Sequence, residues 1–207
     1  MTRGASSSAS PWSPAIIALG VVILALGMAA GCRRATSSFR GATFDPPPPA
    51  ADFTLLDQQR RPFRLAGQRG NVVLIYSGYT YCPDVCPTTL GTWRQVQTAL
   101  GDQARRVRFV MITVDPERDT PDRLRKYVGA FSPEFIGLTG TERALTAVYQ
   151  AYGVVREKET VPGSAVGYLV SHTARVFLID PAGLLRVSHL YDAPSRDLVH
   201  DIRQVLR

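Results

Sequence analysis

The sequence has little that could ligate a soft metal or carry thiol chemistry: three cysteines (Cys32, Cys82, Cys86) and three histidines (His172, His189, His200) in 207 residues. So few thiols exclude a disulfide framework and a four-cysteine zinc site. A long run of one charge is also missing. Lys and Arg outnumber Asp and Glu by 24 to 17, a net +7, yet no more than two basic residues adjoin, as at Arg33-Arg34 or Arg105-Arg106. Without a basic stripe or a nucleic-acid motif, that surplus speaks for solubility and nearness to a membrane, and nucleic acid is not an expected partner. Charged residues make up 20% and apolar ones 45%, the balance of an ordinary globular chain.

Only one apolar run is long: "AIIALGVVILALGMAAG", Ala15 to Gly31, which carries no charge. It is short for a spanning helix of about 20 residues and long for a signal core of about 7–15. It ends in small residues immediately before Cys32, a pattern that resembles a bacterial lipobox, in which the cysteine is diacylated and becomes the first mature residue. Ala29 stands where that motif usually has Leu, so an uncleaved anchor is the alternative. Either route tethers the chain to the cell membrane with its domain on the extracytoplasmic, periplasmic side. The expected organisation is a signal or lipoprotein anchor over 1–32, a polar, proline-rich spacer over 33–51 containing "DPPPPA", and one domain over 52–207.

Within the domain, "FTLLDQQRRPFRL" reads as a β-hairpin, and "NVVLIYSGYT" (Asn71–Thr80) as a strand buried on both faces. A helix over "TTLGTWRQVQTAL" follows, then a second buried strand, "RVRFVMITVD". Thr120 before Pro121 and Asp122 marks a helix start, and "TERALTAVYQAYG" is helical between a Thr cap and a Gly stop. "FIGLTG" between these two helices is a short strand. "GYLVSHTARVFLIDPAGLLRVSHLY" reads as two strands about a turn at Asp180–Gly183, and an amphipathic helix ends the chain. Strands alternating with helices predict an α/β domain with a mixed central sheet covered on both faces. Two cysteines at the end of a buried strand, where a helix begins, make the expected fold thioredoxin-like.

The two cysteines of "YCPDVCP" are spaced C-x-x-x-C rather than the C-x-x-C of thiol reductases. Residues four apart share a helix face, so both sulfurs can converge on one point. A disulfide here would close a tiny loop and add little chain-entropy stabilisation. Asp84 between them places negative charge beside the thiols, which disfavours thiolates unless a cation compensates. Two soft thiolates select copper(I), zinc or iron–sulfur chemistry, and with Cys32 lipidated a third ligand must be histidine. His200 on the last helix reads as a surface residue and His189 as a partly exposed strand residue. His172 begins a strand after the irregular stretch from Glu157 to Gly167, at a junction that in a thioredoxin-like fold faces the cysteine helix.

Three segments in order, "YCPDVCP", "TVDPERDTPDRLRKY" and "GYLVSHTARVFLIDPAG", resemble the SCO/SenC family of membrane-anchored, thioredoxin-like copper proteins. The resemblance implies a metallochaperone that carries one copper, Cu(I) or Cu(II), on Cys82, Cys86 and His172. It also implies delivery to the dinuclear copper site of cytochrome c oxidase subunit II or to another copper-accepting protein. Asp115 and Asp119 match the family's D-P-x-x-D segment, for which turn and capping chemistry is the alternative. Ser171 stands where many relatives have Asp directly before the histidine, so the surroundings of the ligand set differ. The chain is expected as a monomer. A rival reading is a thiol–disulfide reductase using Cys82 and Cys86 to keep the acceptor's cysteines reduced.

Overall fold

The computed structural model describes residues 39–164 and 166–207. The expected anchor over 1–32, Cys32 with it, lies outside them, as does the first part of the spacer. Among the described residues the elements run β1 (Ala42–Thr43), β2 (Thr54–Asp57), β3 (Pro62–Arg64), β4 (Val72–Gly78), α1 (Val85–Leu100), β5 (Val107–Thr113) and α2 (Pro121–Gly129). They continue as β6 (Ile136–Thr139), α3 (Glu142–Ala151), β7 (Arg156–Thr160), β8 (Tyr168–His172), β9 (Arg175–Ile179), β10 (Leu185–Leu190) and α4 (Ser195–Val205). No helix among the described residues is long and apolar enough to cross a membrane.

The near-continuous apolar run at β4 becomes the buried centre of a sheet ordered β1-β10-β9-β4-β5-β6-β2-β3. β4 pairs parallel with β5, and β5 parallel with β6, while β9 lies antiparallel on the other side of β4. Side chains alternate between faces along each strand. Tyr76 meets Trp93 of α1 edge-on, and Trp93 also packs on Phe109 and Phe135. Gly137, on the same face as Tyr76 through Met111, lets α2 approach, since a Cβ there would lie 3.1 Å from that of Leu124. On the opposite face Tyr152, just past α3, packs on Phe177 of β9 and on Phe53. Helices therefore cover both faces, as the alternation of elements predicts, and the fold is thioredoxin-like.

Helix starts follow the predicted capping. The Thr120 hydroxyl accepts from the Arg123 N–H, and that of Thr141 from the Ala144 N–H, each at 3.3 Å. The turn into β10 closes through Gly183 N–H to the Asp180 carbonyl at 2.8 Å, with Gly183 at a φ of 77°.

Two differences from the sequence reading matter. The segment expected as two strands around Asp180–Gly183 holds three. β8 leaves the main sheet and pairs with β7 in a separate ribbon, so His172 ends a strand instead of beginning one. β7 ("REKET") escapes notice because it is exposed throughout most of its length and shows no buried alternation. The proline-rich segment also does not stand off as a spacer once it enters the described residues. β1 pairs with β10, the Leu185 N–H donates to the Pro48 carbonyl at 2.9 Å, and the Ala50 N–H donates to that of Gly183 at 3.0 Å. Proline tolerates such an edge because the sheet there needs few N–H donors.

The start of this edge strand is held by a buried pair. His189, expected as partly exposed, is 4% exposed because Asp201 of α4 covers it, with Nε2 and Oδ2 3.0 Å apart. The same carboxylate accepts from the backbone N–H groups of Arg40 and Gly41 at 2.8 and 3.0 Å. Burial acts to raise the Asp201 pKa, but His189 and the two N–H donors outweigh it and hold the carboxyl below its ordinary value. A carboxyl with a depressed folded pKa adds stability above the unfolded value of about 3.9, and that stability is lost as pH falls through the folded value. Asp201→Asn is expected to cost about 2 kcal/mol at neutral pH and to flatten the acid limb of the stability–pH curve, measured by urea unfolding from about pH 6 downward.

Candidate metal centre

β4 ends at Gly78, where a Cβ would meet the Tyr76 ring at 2.7 Å and Cys86 Sγ at 3.0 Å. Glycine therefore permits the strand to pass against the sulfur before the chain turns into α1. Cys82 lies half-buried in that turn; Cys86 is fully buried in the first turn of α1, which begins at Val85, three residues ahead of the predicted start. Pro87 is tolerated so early in a helix because its missing N–H would have no intrahelical partner. Both thiols are free.

The Cys86 N–H points at Cys82 Sγ from 3.4 Å. The hydrogen bond from the Cys86 thiol lowers the Cys82 pKa most; burial opposes it, and the N–H groups of Asp84 and Cys86 add to the lowering, to about 4. Cys86 is pushed up by its bond to Cys82 and by burial, and the Tyr76 hydroxyl donates to its sulfur at 3.4 Å. Within the pair the thiolate is therefore favoured on Cys82 and the thiol on Cys86. Asp84 acts differently from the expectation: its carboxylate side chain is exposed, and the group that serves the sulfur is its backbone N–H at the helix's positive end.

His172, 86 positions beyond Cys86, brings Nε2 to 3.8 Å from Cys86 Sγ. Tyr76 and Tyr79 flank the ring edge-on, with centroids 6.1 and 5.9 Å away. Nδ1 lies 3.1 Å from the Thr173 carbonyl oxygen. A carbonyl only accepts, so Nδ1 carries the proton and Nε2 presents its lone pair toward the sulfur. Bonds of about 2.3 Å to sulfur and 2.0 Å to nitrogen at trigonal angles would separate the two ligand atoms by about 3.7 Å. The spacing of Cys86 and His172 fits two ligands of one soft metal ion. Among the described residues no group of three His, Cys, Asp or Glu side chains is already set to hold one.

The other candidates do not face the sulfurs. Asp119 is fully buried and accepts from Thr80 N–H at 3.1 Å, Thr80 Oγ1 at 2.6 Å and Thr113 Oγ1 at 2.7 Å. Burial raises its pKa against those hydrogen bonds. Asp115, also fully buried, pairs with Arg118 and accepts from the Tyr168 hydroxyl at 2.8 Å. Turn chemistry describes both acids, with consequences for where Cys82 and His172 sit. Ser171 is exposed on the strand face opposite its neighbour His172, with Oγ 3.5 Å from the Glu157 carbonyl oxygen. His200 lies on α4 with Nε2 3.4 Å from Gln204 Nε2, away from the thiols.

Sequence reading missed Tyr76, Tyr79, Arg118 and Tyr168. The Tyr79 hydroxyl accepts the Val170 N–H at 3.2 Å, which docks β8 onto the end of β4. Arg118 carried one signal, its place between Asp115 and Asp119 in "DPERD". The tyrosines carried none, because an aromatic residue in an apolar run reads as core.

Residues 42–207 match the family model described as SCO1/SenC. An SCO2-like protein of Rickettsia conorii is 35% identical over 153 residues, 73% of this chain and 74% of its own. Among solved structures, apo Sco1 of Thermus thermophilus is similar at a TM-score of 0.74 and 36% identity, covering 83% of this chain and 99% of that one. ScoI of Bradyrhizobium japonicum, solved with copper bound, gives 0.69 and 34%, covering 76% and 99%. The family match runs from β1 to the last residue and takes in both cysteines and His172: this chain belongs to the SCO1/SenC family.

Proposed function

We propose that this chain is a copper metallochaperone that takes one copper ion on Cys82 Sγ, Cys86 Sγ and His172 Nε2. The recipient is the dinuclear copper site of cytochrome c oxidase subunit II or another copper-accepting protein. One observation carries the reading: the imidazole lone pair reaches 3.8 Å from a buried sulfur across 86 positions of sequence. Thiol exchange alone has no use for that ring. The copper-bound ScoI, similar to this chain at 34% identity over 99% of its own length, supports the choice of metal. Two thiolates and an imidazole are a soft donor set that suits copper(I).

The residues divide the labour of transfer. Cys82, half-buried and already a thiolate, is the ligand an approaching partner meets first. Cys86 gives up its proton when the metal enters, so uptake releases about one proton per copper at neutral pH. His172 arrives with its donor nitrogen bare, and Thr173 and the two tyrosines hold its orientation. Three protein ligands leave a coordination position for an incoming thiolate of the acceptor, so copper passes ligand by ligand. An anchor over residues 1–32, a periplasmic location and a monomeric state belong to the same proposal.

The low Cys82 pKa also favours a second reading, thiol–disulfide reduction of the acceptor's cysteines through a mixed disulfide. Titrating the reduced chain with copper under anaerobic conditions is expected to saturate at one equivalent. His172→Ala should weaken binding on the order of 100-fold or more, judged against the losses seen when groups around a ligand are changed. Unchanged affinity in that variant would remove His172 from the site and leave thiol exchange as the main role. Iodoacetamide should alkylate Cys82 first in the metal-free, reduced protein, at a rate already at its plateau by pH 6, while Cys86 stays unmodified. Mass mapping after quenching reads both.

A further inference from the structure

We propose that Arg118 is a positioning residue that sets the distance between the strand carrying His172 and the turn carrying Cys82. The inference rests on the copper reading only for the purpose the spacing serves. β8 belongs to a two-stranded ribbon outside the main sheet. A lone two-stranded ribbon is at best marginally stable in water, so the place of His172 depends on what ties that ribbon to the body. Arg118 supplies much of the tie. Its Nη1 donates to the carbonyls of Val166 and Tyr168 at 2.9 and 3.0 Å, and its Nε pairs with the buried Asp115 at the end of β5.

Ring contacts of the same guanidinium make the second connection. Its Cζ lies 3.6 Å from the centroid of the Tyr168 ring and 4.5 Å from that of Tyr81, the residue directly before Cys82. One planar cation thus touches the strand of the imidazole and the turn of Cys82 together, through hydrogen bonds and cation–ring contacts. The Tyr168 hydroxyl, donating to Asp115 at 2.8 Å, returns the strand to the same carboxylate. Other ties, among them Tyr79 to the Val170 N–H, Arg156 to the Val114 carbonyl at 2.8 Å and to Glu142, and Lys158 to Glu117 at 2.6 Å, hold the ribbon without reaching Tyr81. Lysine cannot replace this group, because an ammonium has neither the fork nor the stacking plane.

Arg118→Lys and Arg118→Met in the full chain test this by two readouts. In the metal-free protein, hydrogen exchange of the amides from Tyr168 to His172 is expected to speed up about tenfold or more in either variant, with β4 and β5 unchanged. Exchange in β8 that stays at the wild-type rate would overturn the proposal, as would a uniform rise through β4 and β5, which marks a general loss of stability. In copper titrations Arg118→Lys should weaken binding roughly 10–100-fold, and the penalty should vanish in a His172→Ala background. A penalty that persists there refutes positioning through His172. If His172→Ala binds copper like wild type while Arg118→Lys still loosens β8, the copper reading fails and the tie between strand and turn stands.

Discussion

Two buried carboxylates at the end of β5 carry the constraint on which the site depends. Asp119 takes the N–H and hydroxyl of Thr80, two residues before Cys82. Asp115 takes the Tyr168 hydroxyl and the Arg118 guanidinium, which in turn holds the strand that ends in His172. Sulfur and imidazole come from segments with no contact in sequence, and each is fixed to a neighbouring acid of a single turn. Buried carboxylates are costly unless their acceptor capacity is filled. Here it is filled by the groups that must be positioned, so the penalty for misplacing either segment is an unpaired acid in the interior.

That shared scaffold lets the thiols differ sharply while lying side by side. Cys82 sits where the first N–H groups of α1 are directed outward, so its negative charge is met by donors that no helical carbonyl can use. Cys86, one turn on, is enclosed by Tyr76, Gly78 and the sheet, where charge is disfavoured. One sulfur is therefore accessible and favoured as a thiolate, and the other is enclosed and favoured as a thiol.

At the far edge of the sheet, the Asp201–His189 pair holds the start of β1, and the proline-rich chain continues from there along β10. An uncovered edge strand is a template for unwanted pairing. The prolines can lie on that edge without continuing a ladder to a further strand, so the segment ends the sheet as it covers it.

Local patterns in the chain determined most of the architecture. The apolar run of β4 read as a buried central strand, Thr120 and Thr141 read as caps, and Asp180–Gly183 read as a turn, because each depends on residues within a few positions. Cys82 and Cys86 were legible for the same reason: their spacing and their place after a strand are local facts. His172 was picked out by elimination and by resemblance to a family. Only the tertiary structure decided that its ring lies against Cys86, that its strand belongs to a separate ribbon, and that Arg118 and the buried acids tie ribbon to turn. It also buried His189 and attached the proline-rich segment to the sheet. These contacts join positions tens of residues or more apart. A side chain's neighbours at that distance follow from how sheets and helices stack, which no short window of sequence records.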